Sequence, residues 1–250
     1  MAGHSHSSNI MYRKAAVDSK RSKVWGKISK AIIVAVKMGG PDPDTNLRLR
    51  YAIADARAVS MPKDNIERAI KSGTGELGGD AMEEVAYEGY GPNGVAVMCD
   101  IVTDNRNRTA SDVRKIFDVN GGKLGAAGCV AWMFERKGLF LIAADKVAED
   151  KLIEVALESG ADDVKHFGDK FEVTCAPDSF TALTDALEAA GIPVESKQLA
   201  RIPRTTVDLD VETARTVLKL MEELDDHDDV QAVCANFNIP DEAMAQLANR

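Results

Sequence analysis

The sequence predicts an α+β protein: an N-terminal three-helix bundle followed by two ferredoxin-like α/β domains, one inserted in the other. Three observations carry this. A glycine-rich stretch, GTGELGGD at 73–80, separates a region of helical period from one of short alternating runs. Residues 137–203 then show the order βαββαβ, the ferredoxin-like split unit. The remaining stretch, 204–240, is a lone βαβ that lacks a partner unless it joins the earlier βαβ of 95–134. The expected domains are therefore 1–77, then 80–136 plus 204–240, with 137–203 inserted. The chain has 250 residues, 45% hydrophobic and 5% aromatic, so its cores are aliphatic.

A tail of Gly, Ser, Asn and His opens the chain and has too little apolar content to order itself alone. The first helix comes next. At about 100° per residue, Val24, Trp25, Ile28, Ile32 and Ala35 form an apolar stripe, and Lys20, Lys23, Lys27 and Lys30 form a basic one well away from it. The apolar stripe is expected to dock on a core, leaving the basic one for solvent or phosphates. Met38-Gly39-Gly40-Pro41 ends this helix. A second is predicted over 46–59, with Leu47, Ala54 and Ala58 among its buried candidates. Pro62 opens a third over 63–71, with Ile66, Ala69 and Ile70 on its apolar face.

Beyond the connector, 85–88 and 95–102 read as strands around a GYGPNG turn. A helix comes after them, started by a capping-box-like Thr109 and Asp112, with Val113, Ile116 and Phe117 facing the core. Residues 130–134 and 139–143 read as two further strands. The inserted unit continues with a helix at 146–159, a hairpin of 163–166 and 171–174, a helix at 178–190 and a strand at 194–199. The last unit is a strand at 206–209, a helix at 211–226 and a strand at 230–237.

Charge is unevenly placed. Residues 1–77 carry fourteen Lys/Arg and seven Asp/Glu, a net of +7, whereas 78–250 carry 17 and 33, a net of -16. A basic module on an acidic body is the asymmetry of a nucleic-acid contact confined to one end. The body then repels phosphate elsewhere. Cys99, Cys129, Cys175 and Cys234 lack metal-ligand spacing and read as reduced thiols of a cytoplasmic protein. Ala2-Gly3-His4, with His6 nearby, resembles a copper(II) or nickel(II) terminus, but such His occur by chance in short tails. No cofactor or metal is expected. No apolar run reaches membrane-spanning length, so no membrane partner is expected either.

Two clusters could carry chemistry. Asp100, Asp104, Asn105, Arg106, Asn107 and Arg108 lie at a strand end. They could form a catalytic or phosphate site, or simply satisfy free helix N–H groups. The acidic run Glu222–Asp229 lacks calcium-loop spacing and reads as a solvated helix end. No nucleophile–base pair is evident, so no catalytic residue is assigned and the chain is not expected to be an enzyme.

Several segments in order carry a resemblance: MAGHS, RKAA, DPDTNLRLR, MPKDNIERAIK, YEGYGPNGVAV, TDNRNRT and, late in the chain, DDVQAV with NF. Together they resemble the YebC/PmpR family of probable transcriptional regulatory proteins, whose mitochondrial relative is a translational activator of cytochrome c oxidase. The resemblance spans about residues 1–240. It implies a cytoplasmic, non-enzymatic protein that acts as a DNA-binding regulator or as a ribosome-associated factor aiding translation of proline-rich stretches. His6-Ser7 and Met11-Tyr12 depart from the family's usual Lys-Trp and Lys-His. The basic residues expected to meet nucleic acid are Arg13, Lys14, Lys20, Arg21, Lys23, Lys27 and Lys30, with Asn9, Tyr12, Arg106 and Arg108 as further candidates. Tyr12 offers a ring to stack on a base.

Overall fold

The computed structural model describes residues 21–78 and 82–248, apart from the side chains of Arg21, Ser22, Asp241, Ala245 and Ala248. These residues form two compact units. The first takes in 21–78, 82–131 and 211–235; the second takes in 132–210 and 236–248.

The first unit begins with helices α1 (Arg21–Gly39), α2 (Leu47–Ala58) and α3 (Lys63–Gly73). Their shared core is Ile32, Ala35, Val36, Leu49, Ala52, Ile53, Ala56, Met61, Ile66 and Ala69, with Trp25 and Ile28 packed against it. Each large side chain here contributes about 1.5–3 kcal/mol by leaving water. Asn46 ties α1 to α2: its amide donates to the carbonyls of Ala35 and Gly40, both at 2.8 Å, and its oxygen caps α2 by accepting from Leu49 N at 3.1 Å. The turn needs glycine at 40, where φ is +85°. At Gly73 a Cβ would lie 2.7 Å from that of Val36, so α3 crosses α1 where no side chain intervenes.

The same unit holds a sheet ordered β3-β1-β2-β9, with every neighbouring pair antiparallel. Its strands are β1 (Glu83–Tyr90), β2 (Ala96–Thr103), β3 (Lys123–Leu124) and β9 (Val230–Ala235). Helix α4 (Arg106–Val119) links β2 to β3, and α7 (Val211–Asp225) precedes β9. This is the ferredoxin-like arrangement with its hairpin strand β1 moved to the front of the chain. The core side chains Val113 and Phe117 of α4, and Val217, Leu220 and Leu224 of α7, are buried. Helix α1 lies against β2 and β9.

In the second unit β4 (Phe134–Ala143), α5 (Glu149–Glu158), β5 (Ala161–Phe167), β6 (Lys170–Cys175), α6 (Phe180–Ala189) and β7 (Ser196–Pro203) succeed one another. The sheet order is β5-β6-β4-β7, all antiparallel, which is the split βαβ pattern in its usual connectivity. Phe140 and Phe180 stack at 4.9 Å between ring centres. β8 (Val207–Asp208) and β10 (Phe237–Asn238) pair in parallel, and α8 (Asp241–Ala248) comes last. Independent folding of 137–203 stays a proposal. Expressing that stretch alone and finding no cooperative unfolding would sink it.

The structure corrects several local expectations. In α2 the buried residues are Leu49, Ala52, Ile53 and Ala56, while Leu47 is 47% exposed and Ala54 and Ala58 face out. Helix α4 starts at Arg106, not at a Thr109 cap: Asn105 is the N-cap, and Thr109 is buried. Residues 130–133 are not a strand, and β4 runs unbroken from Phe134 to Ala143. The cause is Glu88, whose carboxylate is buried and accepts N–H bonds from Gly128 at 2.7 Å, Val130 at 2.8 Å and Ala131 at 2.7 Å. Backbone donors turned onto one carboxylate cannot join a strand ladder. The single strand expected at 230–237 is split into β9 and β10, and α8 is an element that the sequence pattern does not predict.

Candidate nucleic-acid interface

Spacing of three and four residues sets Lys23, Lys27 and Lys30 on one flank of α1. The structure does not leave them for solvent. Lys23 Nζ donates to the Asp226 carbonyl at 3.0 Å and lies 3.5 Å from the Asp226 carboxylate. Lys27 Nζ donates to the Asp225 carbonyl at 2.5 Å and to its carboxylate at 3.2 Å. Lys30 Nζ donates to the Asp228 carbonyl at 2.9 Å and the Asp229 carboxylate at 2.5 Å. The acidic end of α7 is therefore not a merely solvated helix end. The Asp225 carbonyl of its last turn, the Asp226 and Asp228 carbonyls just beyond, and the Asp225, Asp226 and Asp229 carboxylates all meet lysines, the favoured sign of charge at a helix C-terminus.

Asp229 is the centre of this contact. It also accepts from Thr109 Oγ1 at 2.6 Å, Arg108 Nη2 at 3.0 Å and Thr103 Oγ1 at 3.2 Å. Burial alone would raise its pKa. The bonds from Lys30, Thr109 and Arg108 outweigh that and hold the carboxyl well below the usual carboxylate range. Arg108 is half-exposed and also bonds Asp104 at 2.7 Å. Asn105 accepts from Arg108 N at 3.1 Å, so its part in the 104–108 cluster is capping. Arg106 is 62% exposed and lies 3.7 Å from Glu83.

A cleft of about 510 Å³ opens here, lined by Lys23, Lys30 and Arg108, by His227 and Met82, and by Asp104, Asp112, Asp226, Asp228 and Asp229. Carboxylates outnumber the basic side chains, so as it stands the cleft does not attract a phosphate. His227 accepts from Asp229 N at 3.1 Å and lies 3.5 Å from Asp112. Among the described residues no group of three or more His, Cys, Asp or Glu is placed to hold a metal, and no helix is long and apolar enough to cross a membrane.

Of the basic residues expected to meet nucleic acid, the structure thus brings Lys23, Lys27, Lys30 and Arg108 together around 225–229, and sets Arg106 apart. Arg21 opens α1. Asn9, Tyr12, Arg13, Lys14 and Lys20 lie outside the described residues. Asp225, Asp226, Asp228, Asp229, Thr103 and Thr109 are not expected at this place from the sequence. The signal available is complementarity between the lysine stripe and the DDHDD run.

Comparison with known proteins is consistent along the chain. Residues 5–76 match the family described as TACO1/YebC protein N-terminal domain, and residues 82–237 match TACO1/YebC second and third domain. A probable transcriptional regulatory protein of Rhodopirellula baltica is 57% identical over 247 residues, 98% of this chain and 100% of the relative. One of Dictyoglomus turgidum is 53% identical over 249 residues, 99% of this chain and 100% of the relative. The crystal structure of a conserved hypothetical protein from Aquifex aeolicus is similar with a TM-score of 0.82 and 49% identity, covering 90% of this chain and 93% of that one.

Proposed function

The chain belongs to the TACO1/YebC family, and we propose that it regulates gene expression by binding nucleic acid through its basic N-terminal region. The observation that supports this is the charge step: +7 on residues 1–77 against -16 on 78–250. Arg13, Lys14 and Lys20 supply phosphate contacts ahead of α1, and Arg21, Lys23, Lys27 and Lys30 extend them along it. Duplex DNA is the target suggested by the names of the relatives, which are called probable transcriptional regulatory proteins.

One observation favours a second target, structured RNA of the ribosome. The lysine flank of α1 is turned onto the end of α7 rather than presented as a free polar face for a major groove. Recognition by charge and shape needs no such face.

One experiment tests both. Two full-length variants are compared with the parent, one with Arg13, Lys14 and Lys20 replaced by Gln, the other with Lys23, Lys27 and Lys30 replaced by Gln. Each is expected to bind less tightly, with the log–log salt slope falling by up to about 0.9 per lost contact on duplex DNA or about 0.7 on single-stranded RNA. A transcriptional regulator must prefer one duplex over random duplex by about a thousandfold or more. A ribosome-directed factor shows little duplex preference and cosediments with ribosomes. Unchanged affinity and slope for both variants on both targets would overturn the proposal.

A further inference from the structure

Lys23, Lys27 and Lys30 each meet two kinds of oxygen, a backbone carbonyl at the end of α7 or in the turn just past it and a carboxylate with a full negative charge. A phosphodiester backbone offers the same thing, negative oxygens spaced along one flank of a helix. The contact is also graded. Side-chain exposure of the aspartates falls from 44% at Asp226 through 27% at Asp225 to 6% at Asp229, and Lys23 at 39% is about twice as exposed as Lys27 and Lys30. Exposed ion pairs contribute little net stability, because water and salt compete for both partners. Asp229 by contrast is anchored by Thr103, Thr109 and Arg108 as well.

We infer that residues 225–228 are a built-in phosphate surrogate, an autoinhibitory strap that occupies the lysines of α1 until a nucleic acid displaces it. The strap yields first at Asp226, beside the N-terminal end of α1 where the arm joins. It hinges on Asp229, which stays seated. Binding is then a substitution of phosphate oxygens for the carboxylate and carbonyl oxygens on Lys23 and Lys27 and for the Asp228 carbonyl on Lys30, which keeps Asp229. The cost of that exchange is set by how firmly the strap holds, which makes the acidic run a setting for affinity rather than a contact to the target. The inference rests on the proposed role of the lysines as phosphate contacts.

The test uses the full chain with Asp225→Asn, Asp226→Asn and Asp228→Asn together. Asparagine keeps the backbone carbonyls and side-chain size and removes only charge, and Asp229 is left alone. The probes are a fluorescein-labelled random-sequence DNA duplex and a labelled ribosomal RNA hairpin, titrated by anisotropy. On whichever probe the parent binds, affinity is expected to rise about tenfold, the effect of releasing two partly screened pairs, Lys23–Asp226 and Lys27–Asp225, and removing the Asp228 charge beside them. A control with Asp150→Asn, Glu154→Gln and Glu158→Gln on α5 removes as much charge elsewhere and is expected to gain no more than about twofold. The gain is also expected to vanish when Lys23, Lys27 and Lys30 are Gln. No gain, an equal gain in the control, or a gain that survives without the lysines overturns the strap while leaving the phosphate contacts standing. Lysine variants that bind as the parent does overturn the phosphate contacts, and the strap with them. Should the triple variant fail to fold by thermal melting, Asp226→Asn alone, at the most exposed pair, is read in the same way with a smaller gain.

Discussion

Each of the two units buries carboxylates, and they treat them in opposite ways. In the first, Asp229 receives Lys30, Arg108, Thr103 and Thr109, and Glu88 receives three backbone N–H groups. In the second, Glu172 on β6 is 6% exposed, and among the described residues its Oε2 has no hydrogen-bond partner. Burial pushes the Glu172 carboxyl up to about 7, with Asp163 adding to the rise and Lys165 opposing it. Desolvation disfavours charge at both places; what decides the sign is the donors brought to meet it. A buried acid organises its surroundings only when the fold supplies those donors.

The largest expected effect is at Asp229. Asp229→Ala removes the acceptor and leaves Lys30 and Arg108 facing each other, so the first unit is expected to lose about 3 kcal/mol. Urea unfolding followed by Trp25 fluorescence, in a Trp132→Phe background, measures it. A loss below about 1 kcal/mol would mean that the donors find water instead. Since its folded pKa is depressed, the contribution of Asp229 is present above the usual carboxylate value of 3.8 and is lost as pH falls below it.

Glu172 carries the opposite slope. Its folded pKa of about 7 exceeds the unfolded 4.5, so the folded state binds more protons across that window and loses stability as pH rises through it. Glu172→Gln is expected to flatten this dependence and stabilise the second unit by about 2–3 kcal/mol at pH 8 relative to its effect at pH 4. Parallel pH–stability curves for parent and variant would refute the assignment.

A smaller effect sharpens the contrast within the first unit. Glu88→Gln keeps the packing and one accepting oxygen, enough for Val130 and Ala131 without the charge, but sets its NH2 against Gly128 N, an expected cost of about 2 kcal/mol. Faster amide exchange at Gly128, Val130 and Ala131 should accompany it. Protection unchanged from the parent would show that the segment holds its own shape. Last, Asn105→Ala removes the cap of α4 for about 1 kcal/mol. A cost no larger than about 0.3 kcal/mol would mean that Thr103 and Asp229 suffice to hold the helix start.

Much of this architecture is legible locally, and the failures share one cause. The stripe of Trp25, Ile28, Ile32 and Ala35 is plain because bulky apolar groups recur at helical spacing. In α2 the apolar residues are largely alanines, so several faces compete, and the pattern alone does not separate Leu47 from Leu49. The apolar run 130–134 has the composition of a strand, but Glu88, 42 residues from Val130, claims its N–H groups. The lysine stripe is visible in the sequence and its occupant is not, because Asp229 lies 199 residues from Lys30. Periodicity reports what an element needs to bury; it is silent on which distant segment meets it.

Those 199 residues have a consequence for the order in which the protein is made. At about 5–20 residues per second, synthesis of the stretch between Lys30 and Asp229 takes roughly 10–40 s. Throughout that interval β2 has no β9 beside it, and the lysines of α1 have no carboxylates to hold. The nascent first unit therefore emerges cationic and open-edged, on a ribosome whose surface is phosphate, and closes only when the chain is nearly complete. A product truncated before residue 225 would stay in that state.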